Sequence, residues 1–526
     1  MRRDIAFWAG VVSTTAGTAL HLPMYLRAAQ MHFRMAGMPL DRGMVTGMVL
    51  IVSGLLLTVY GLLPPSGHRA PVGALRVRAL DDAPIGPVHI GLLLVMAAAV
   101  TIDVMKPTTL AFVVPGAARE YGLRSPTNPT GSVPAALLPL AGITGTVLGS
   151  LLWGWLGDRI GRRSSMLLAG VIFTATAICG AMPSFGLNLV MCFIMGLGAG
   201  GMLPITFTLL SETIPARHRG WLMVLIGSDI AGAYVLTSSL SSWLQPQYGW
   251  RILWLIGLPT GLVLILLTRW VPESPRYLLS VGRQDEAAAV LRRYGAALVP
   301  VPRSELDVER AVGHGFGQLL RPPFLGLTAI LALAGLGTGL AVYGFQLWLP
   351  SNLRHLGFTG VTADSMLRDA SLLGFPLSFL VAYLYHRSSR WTLVGLSAAL
   401  ALALGAFAVL GDRVGAHPAL LAALLVVPIW GSASAVAVIS AYSTEVYPTR
   451  IRSRGAGVAA AMAKAGGVVV IAVVVAAVAT PSITGTALLG AVPMGAAALA
   501  AVFVLVETRG RGLEEITASE LAQTRS

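Results

Sequence analysis

Lys106 and Lys464 are the only two lysines among 37 basic residues, and both fall inside long apolar runs. A Lys or Asp at the centre of a bilayer costs roughly 2.5–3.5 kcal/mol, so such residues pair with one another or face a polar cavity. The ammonium is a compact point charge suited to a carboxylate. Two acids share this setting, Asp103 and Asp229. A spacing of three puts Asp103 and Lys106 within pairing reach on one helix face. Pro107 would free backbone groups beside them, as in the broken helices of carriers. Lys464 has no acid on its own run between Glu445 and Glu507, so a partner such as Asp229 must come from another helix. This chemistry points to anion binding by Lys106 and Lys464 with proton uptake by Asp103 or Asp229. A self-contained structural Asp103–Lys106 pair is the alternative.

The elements that hold these residues are membrane helices. The 526 residues are 55% hydrophobic and 11% charged, with mean hydropathy +0.75. Soluble domains carry roughly 25% charged residues. The net charge of +14 therefore does not mark a nucleic-acid binder, because the arginines sit in short loops between apolar runs. Two cysteines exclude a disulfide scaffold or a Cys-rich metal centre. Runs of about 20 apolar residues span a bilayer. Twelve occur from position 89 on: 89–115, 134–156, 165–183, 188–210, 221–243, 251–270, 324–349, 366–385, 391–410, 418–442, 456–479 and 484–506. Two more, 6–28 and 44–63, precede them, the first interrupted by His21 and Pro23. Arginines cluster after the second, fourth, sixth, eighth and tenth of the twelve, which places those loops and both ends of the unit in the cytoplasm. The chain reads as an all-α polytopic membrane protein: an extension (1–88) with one or two extra helices, a six-helix half (89–270), a cytoplasmic loop (271–323), a second six-helix half (324–506) and a tail (507–526).

The halves repeat one another. Glu212, Pro215, Arg217, Arg219 and Gly220 close the fourth span, and Glu445, Pro448, Arg450, Arg452, Arg454 and Gly455 close the tenth. Duplicated six-helix halves place a substrate site near the midplane between them.

At Gly154-Trp155-Leu156-Gly157-Asp158-Arg159-Ile160-Gly161-Arg162-Arg163 the chain resembles the major facilitator superfamily signature. Pro272-Glu273-Ser274-Pro275-Arg276 and Glu507-Thr508-Arg509-Gly510-Arg511-Gly512 resemble motifs of its sugar-porter and organic-ion branch. Tyr343-Gly344-Phe345-Gln346-Leu347-Trp348 resembles helix seven of aromatic acid and nicotinate-type symporters. The resemblance covers about 89–516. It implies a twelve-helix fold of two halves that rock about a central site. It puts Asp103 where aromatic acid symporters have an acid, and Lys464 where organic anion carriers have Arg. It also implies a conformational latch of Asp158, Arg159, Arg162, Arg163, Glu212, Arg217, Glu445 and Arg450. Cys192 and Met202 flank the Gly-rich run where this branch often has charges, so the resemblance supplies no proton route through that helix.

Tyr343 and Gln346 are further candidates for substrate contact, and Tyr343, Phe345, Trp348 and Trp430 suit an aromatic ring. His21 and the methionines of 21–48 could ligate copper(I) or simply pack. No phosphate loop, HExxH or GxSxG motif supports enzyme chemistry, and no cofactor is expected. The reading is a secondary carrier in the cell's inner (plasma) membrane, moving a small organic anion, an aromatic or heterocyclic carboxylate, with protons. The alternatives are a sugar or polyol porter, and a sensor or assembly subunit that docks a protein partner through the N-terminal hairpin.

Overall fold

The computed structural model describes residues 2–63, 75–76, 78–81, 83–125, 128, 130–297, 299–300, 315–346, 349, 352–353, 356–358, 360–477, 482–513 and 515–516. Among these, twelve helices are long and apolar enough to cross a membrane. They are α1 (Arg3–Met31), α2 (Arg42–Leu62), α3 (Pro87–Glu120), α4 (Leu137–Ile160), α5 (Arg162–Ala181), α6 (Phe185–Thr213), α7 (Ala216–Tyr248), α9 (Phe324–Phe345), α11 (Ser389–Ala416), α12 (Pro418–Val446), α13 (Arg452–Ala476) and α14 (Ile483–Val504). The shorter α8 (Ile252–Leu267) and the more polar α10 (Gly360–Arg387) complete two six-helix sets, α3–α8 and α9–α14. The only sheet among the described residues is a two-residue antiparallel pair, Leu75–Arg76 with Val299–Pro300.

Local chemistry sets the helix ends and breaks. Asp41, Ser184, Ser388 and Ser482 each accept a backbone N–H three residues on, capping α2, α6, α11 and α14. Pro107 inside α3 cannot donate to the Asp103 carbonyl, and Thr108 and Thr109 donate to the next two carbonyls, of Val104 and Met105, at 2.7 and 2.8 Å. Gly161, with φ +98°, makes the sharp turn from α4 into α5. Glu273 accepts the backbone N–H groups of Arg162 and Arg163 at 2.7 and 3.3 Å, so two of the sequence motifs meet at one helix N-terminus.

Both N-terminal helices form the hairpin. The break expected at His21 and Pro23 falls near its outer end, where helix stops at Ala19 and resumes at Leu22. Small residues let α1 and α2 touch. A Cβ on Gly10 would lie 2.6 Å from the Gly54 carbonyl oxygen, and one on Gly54 2.7 Å from that of Gly10. Gly17 and Gly47 repeat the relation at 2.6 Å both ways. The hairpin docks on its own chain. Its helices pack on α5, Tyr25 OH donates to Tyr248 O at 2.6 Å, and the Met35 and Ala36 N–H groups donate to Glu120 at 2.6 and 2.9 Å. Glu120 is fixed in turn by buried Arg251 at 2.8 Å. Met24, Met35 and Met44 are buried in this hydrophobic seat, so packing accounts for the Met-rich segment.

Gly54→Leu should force α1 from α2 and cost about 1–3 kcal/mol through overpacking. The expected outcome is a melting temperature several degrees lower in detergent; an unchanged value would contradict the close helix contact.

Candidate functional site

The halves approach closely where α4 meets α13. A Cβ on Gly154 would sit 2.6 Å from the Ser453 carbonyl oxygen, and one on Gly457 2.5 Å from that of Ser150. At this crossing Lys464 reaches from α13 into the other half. Its Nζ donates to Ser150 Oγ at 3.0 Å and to the Gly200 carbonyl at 3.4 Å. That carbonyl lies at the break in α6 between Ala199 and Met202. Asp103 on α3, buried at 5% exposure, is the acid within electrostatic reach of Lys464, and no ion pair joins the two among the described residues. Asp229 is instead hydrogen-bonded to Thr101 within its own half, at the break of α7 between Gly227 and Ile230.

The two lysines are not brought together, and Asp103 and Lys106 form no pair among the described residues. Positions three apart differ by about 60° around a helix, and here that difference sends Lys106 into the α5–α6–α8 interior. Its Nζ lies 4.6 Å from the Phe173 ring centroid and 5.9 Å from that of Trp254, near Cys179 and Cys192. It has no hydrogen-bond partner among the described residues, and a Cβ on Gly257 would collide with it.

On the α9–α14 side, α9 ends in a π-turn over Ala341–Phe345. π-Turns concentrate at functional positions. The Tyr343 ring lies against Gly467, one turn from Lys464. Gln346 Nε2 is committed to α12, donating to the Pro428 and Ile429 carbonyls at 2.5 and 3.2 Å. Trp430 Nε1 on α12 is buried without a partner. Phe345 packs on Phe407, in the core rather than at the seam, and Trp348 lies outside the described residues.

A buried charge network closes the end of the bundle that the arginine placement assigns to the cytoplasm. Arg162 pairs with Glu212 at 2.9 Å and Asp158 at 3.6 Å inside the first half. Three pairs cross the seam: Arg452–Glu212 at 2.8 Å, Arg454–Asp158 at 3.1 Å and Arg219–Glu445 at 3.6 Å. Arg219 and Arg452 each lie seven residues after the repeated glutamate of their own half, and each reaches the glutamate of the other. Tyr385 and Thr508 also donate to Glu445, at 2.9 and 2.6 Å. Asp81, from the linker after α2, accepts from Arg219 and Arg276 at 3.1 Å each.

Among the described residues, Arg159, Arg163 and Arg217 lie outside this network. Arg159 stacks over Trp155 at 4.9 Å, Arg163 donates to the Thr268 carbonyl, and Arg217 is exposed. Arg450 presents its carbonyl to Arg454 at 3.0 Å. The residues missed were Arg219, Arg452, Arg454 and Asp81. The repeat carried the signal for the first two, whereas nothing in the polar linker marked Asp81. In the C-terminal motif, Glu507 accepts from Ser388 and Ser389, and these hydrogen bonds outweigh burial to hold its carboxyl below the ordinary value.

The family model described as Major Facilitator Superfamily matches residues 92–416, and that described as Sugar (and other) transporter matches 325–519. The chain is 30% identical over 452 residues to the niacin transporter NiaP of Acinetobacter baylyi, covering 84% of this chain and 99% of that one. It is 27% identical over 389 residues to the 4-hydroxybenzoate transporter PcaK of the same organism, covering 72% and 82%. The structure of the proton:xylose symporter XylE superposes with TM-score 0.66 at 20% identity, over 82% of this chain and 99% of that one.

Two outcomes follow from the geometry. Lys106→Met removes a buried ammonium without a hydrogen-bond acceptor, so it should leave the melting temperature unchanged or raise it; a large loss would reveal an unseen partner. Asp158→Asn should weaken cytoplasmic closure. Spin labels at Arg159→Cys and Arg387→Cys are selective because Cys179 and Cys192 are buried. The variant should gain a longer-distance population absent from the parent, and an unchanged distribution would refute the latch.

Proposed function

The chain belongs to the Major Facilitator Superfamily, and on that premise we propose that it carries a small aromatic or heterocyclic carboxylate together with a proton. It is a multi-pass membrane transporter and not an enzyme. The membrane in this reading is the plasma membrane, the inner one where there are two.

One observation carries the anion reading. A lysine of the second half is held at the seam by a hydroxyl and a carbonyl of the first, within electrostatic reach of Asp103. Neither oxygen competes with a carboxylate for an ammonium. In this reading a substrate carboxylate draws Lys464 away from Ser150 and Gly200. Asp103 then loses its counter-charge and takes up a proton, so anion and proton enter with no net charge left in the low-dielectric seam. Tyr343 and Trp430 flank the ring, Gln346 braces α9 on α12, and Asp229 is the second proton-accepting candidate. Of the two lysines, Lys464 contacts the anion, while Lys106 stays within the α3–α8 half. Breaking the cytoplasmic ion pairs then lets the halves rock and release both. Niacin and 4-hydroxybenzoate, named for the two relatives, are ring carboxylates of this class.

A second reading, a sugar porter, is favoured by the Sugar (and other) transporter match over 325–519 and by the likeness to a xylose symporter. A neutral sugar makes no use of a buried cation, which weighs against it.

Uptake into proteoliposomes with an alkaline interior separates the two. Nicotinate or 4-hydroxybenzoate should accumulate and D-xylose should not. Lys464→Ala should lower uptake roughly tenfold or more, the scale of one lost charged hydrogen bond. Asp103→Asn should keep substrate exchange but lose gradient-driven accumulation. Xylose accumulation, or full activity in Lys464→Ala, would overturn the anion reading.

A further inference from the structure

Beside the latch, cationic side chains from both halves crowd together around one acid, Glu445, which is already paired with Arg219. Arg217 and His218 come from α7, His386 and Arg387 from α10, and Arg509 from the tail. Arg217, Arg387 and Arg509 all lie within electrostatic reach of His386, and Arg217 and His386 within reach of His218. No carboxylate pairs with these three arginines among the described residues. The two nearby acids are engaged elsewhere: Glu445 by Tyr385, Thr508 and Arg219, and Glu507 by Ser388 and Ser389. Among them lies a shallow cleft, open to solvent and lined by Arg217, Trp221, Tyr385, His386, Arg509 and the carboxylate-bearing Glu445. Trp221 stands edge-on between His218 and His386, with ring centroids at 6.1 and 6.5 Å.

Like charges held this close repel unless an anion neutralises them. The adjoining arginines of the latch are each matched by a carboxylate, whereas this group is not. The cleft also opens beside an apolar surface, where Phe379, Tyr383 and Trp391 are more than half exposed. A cation cluster at the cytoplasmic end of membrane helices is suited to phosphate head groups.

We propose that this cleft binds a phosphate group, either the head group of an anionic phospholipid whose chains lie along α10 or a free phosphate ion. Because α7 belongs to one half and α10 and the tail to the other, the bound phosphate ties the halves on the cytoplasmic side. It therefore favours the conformation closed there.

A ligand that binds the folded protein raises its melting temperature by mass action. The protein in detergent is melted with dioleoylphosphatidylglycerol, dioleoylphosphatidylcholine or inorganic phosphate. The parent is compared with Arg217→Gln/Arg509→Gln and with Arg34→Gln/Arg42→Gln, which removes two exposed arginines where the chain turns from α1 into α2. Phosphatidylglycerol should stabilise the parent and the loop variant by several degrees, and the cleft variant by less than half as much, with no effect of phosphatidylcholine. The same pattern with inorganic phosphate alone would assign the site to the free ion. Equal stabilisation of all three proteins by phosphatidylglycerol, or no stabilisation by either phosphate, would overturn the proposal.

Discussion

The reciprocal bond between the halves is the constraint on which the rest of this structure depends. Arg219 of the first half reaches Glu445 of the second, and Arg452 of the second reaches Glu212 of the first. These groups are buried, and a buried ion whose partner is removed costs about 3–5 kcal/mol. The cytoplasmic end is thus either fully paired or opened to water. Such a two-state contact is what alternation between two accessible faces requires. Asp158 with Arg454 adds a third pair, and Asp81 binds the linker of the N-terminal hairpin to the same group.

Above this gate the seam holds a single lysine of the second half against the first. Lys464 is satisfied by neutral oxygens and balanced at a distance by Asp103. In the proposed reading an arriving carboxylate displaces these neutral oxygens, and charge balance couples a proton to the anion. The gate and the site share α4 and α13, which carry Ser150 and Asp158 on one side and Lys464, Arg452 and Arg454 on the other. In the proposed reading these two helices connect a shift of Lys464 to the ion pairs.

Much of this was legible in the chain itself, because bilayer thickness and arginine placement act on single segments. The two six-helix sets and the hairpin follow from apolar length, and the latch glutamates follow from the repeat. What the sequence left open was direction. Spacing put Asp103 and Lys106 on one face, but the space left by Gly257 and the rings of Phe173 and Trp254 drew Lys106 away. The acid within electrostatic reach of Lys464 is Asp103, whereas Asp229 is hydrogen-bonded to Thr101. Asp81 sits in a polar linker with no periodicity, and its burial depends on two arginines more than 130 residues away.

The coupling of anion and proton at Lys464 and Asp103 is most directly tested by measuring both at once. Purified protein in weak buffer with a pH indicator is titrated with nicotinate or 4-hydroxybenzoate. About one proton should be taken up per anion bound in the parent, with binding but no uptake in Asp103→Asn. Anion binding by the parent with no proton uptake, or undiminished uptake in Asp103→Asn, would contradict it.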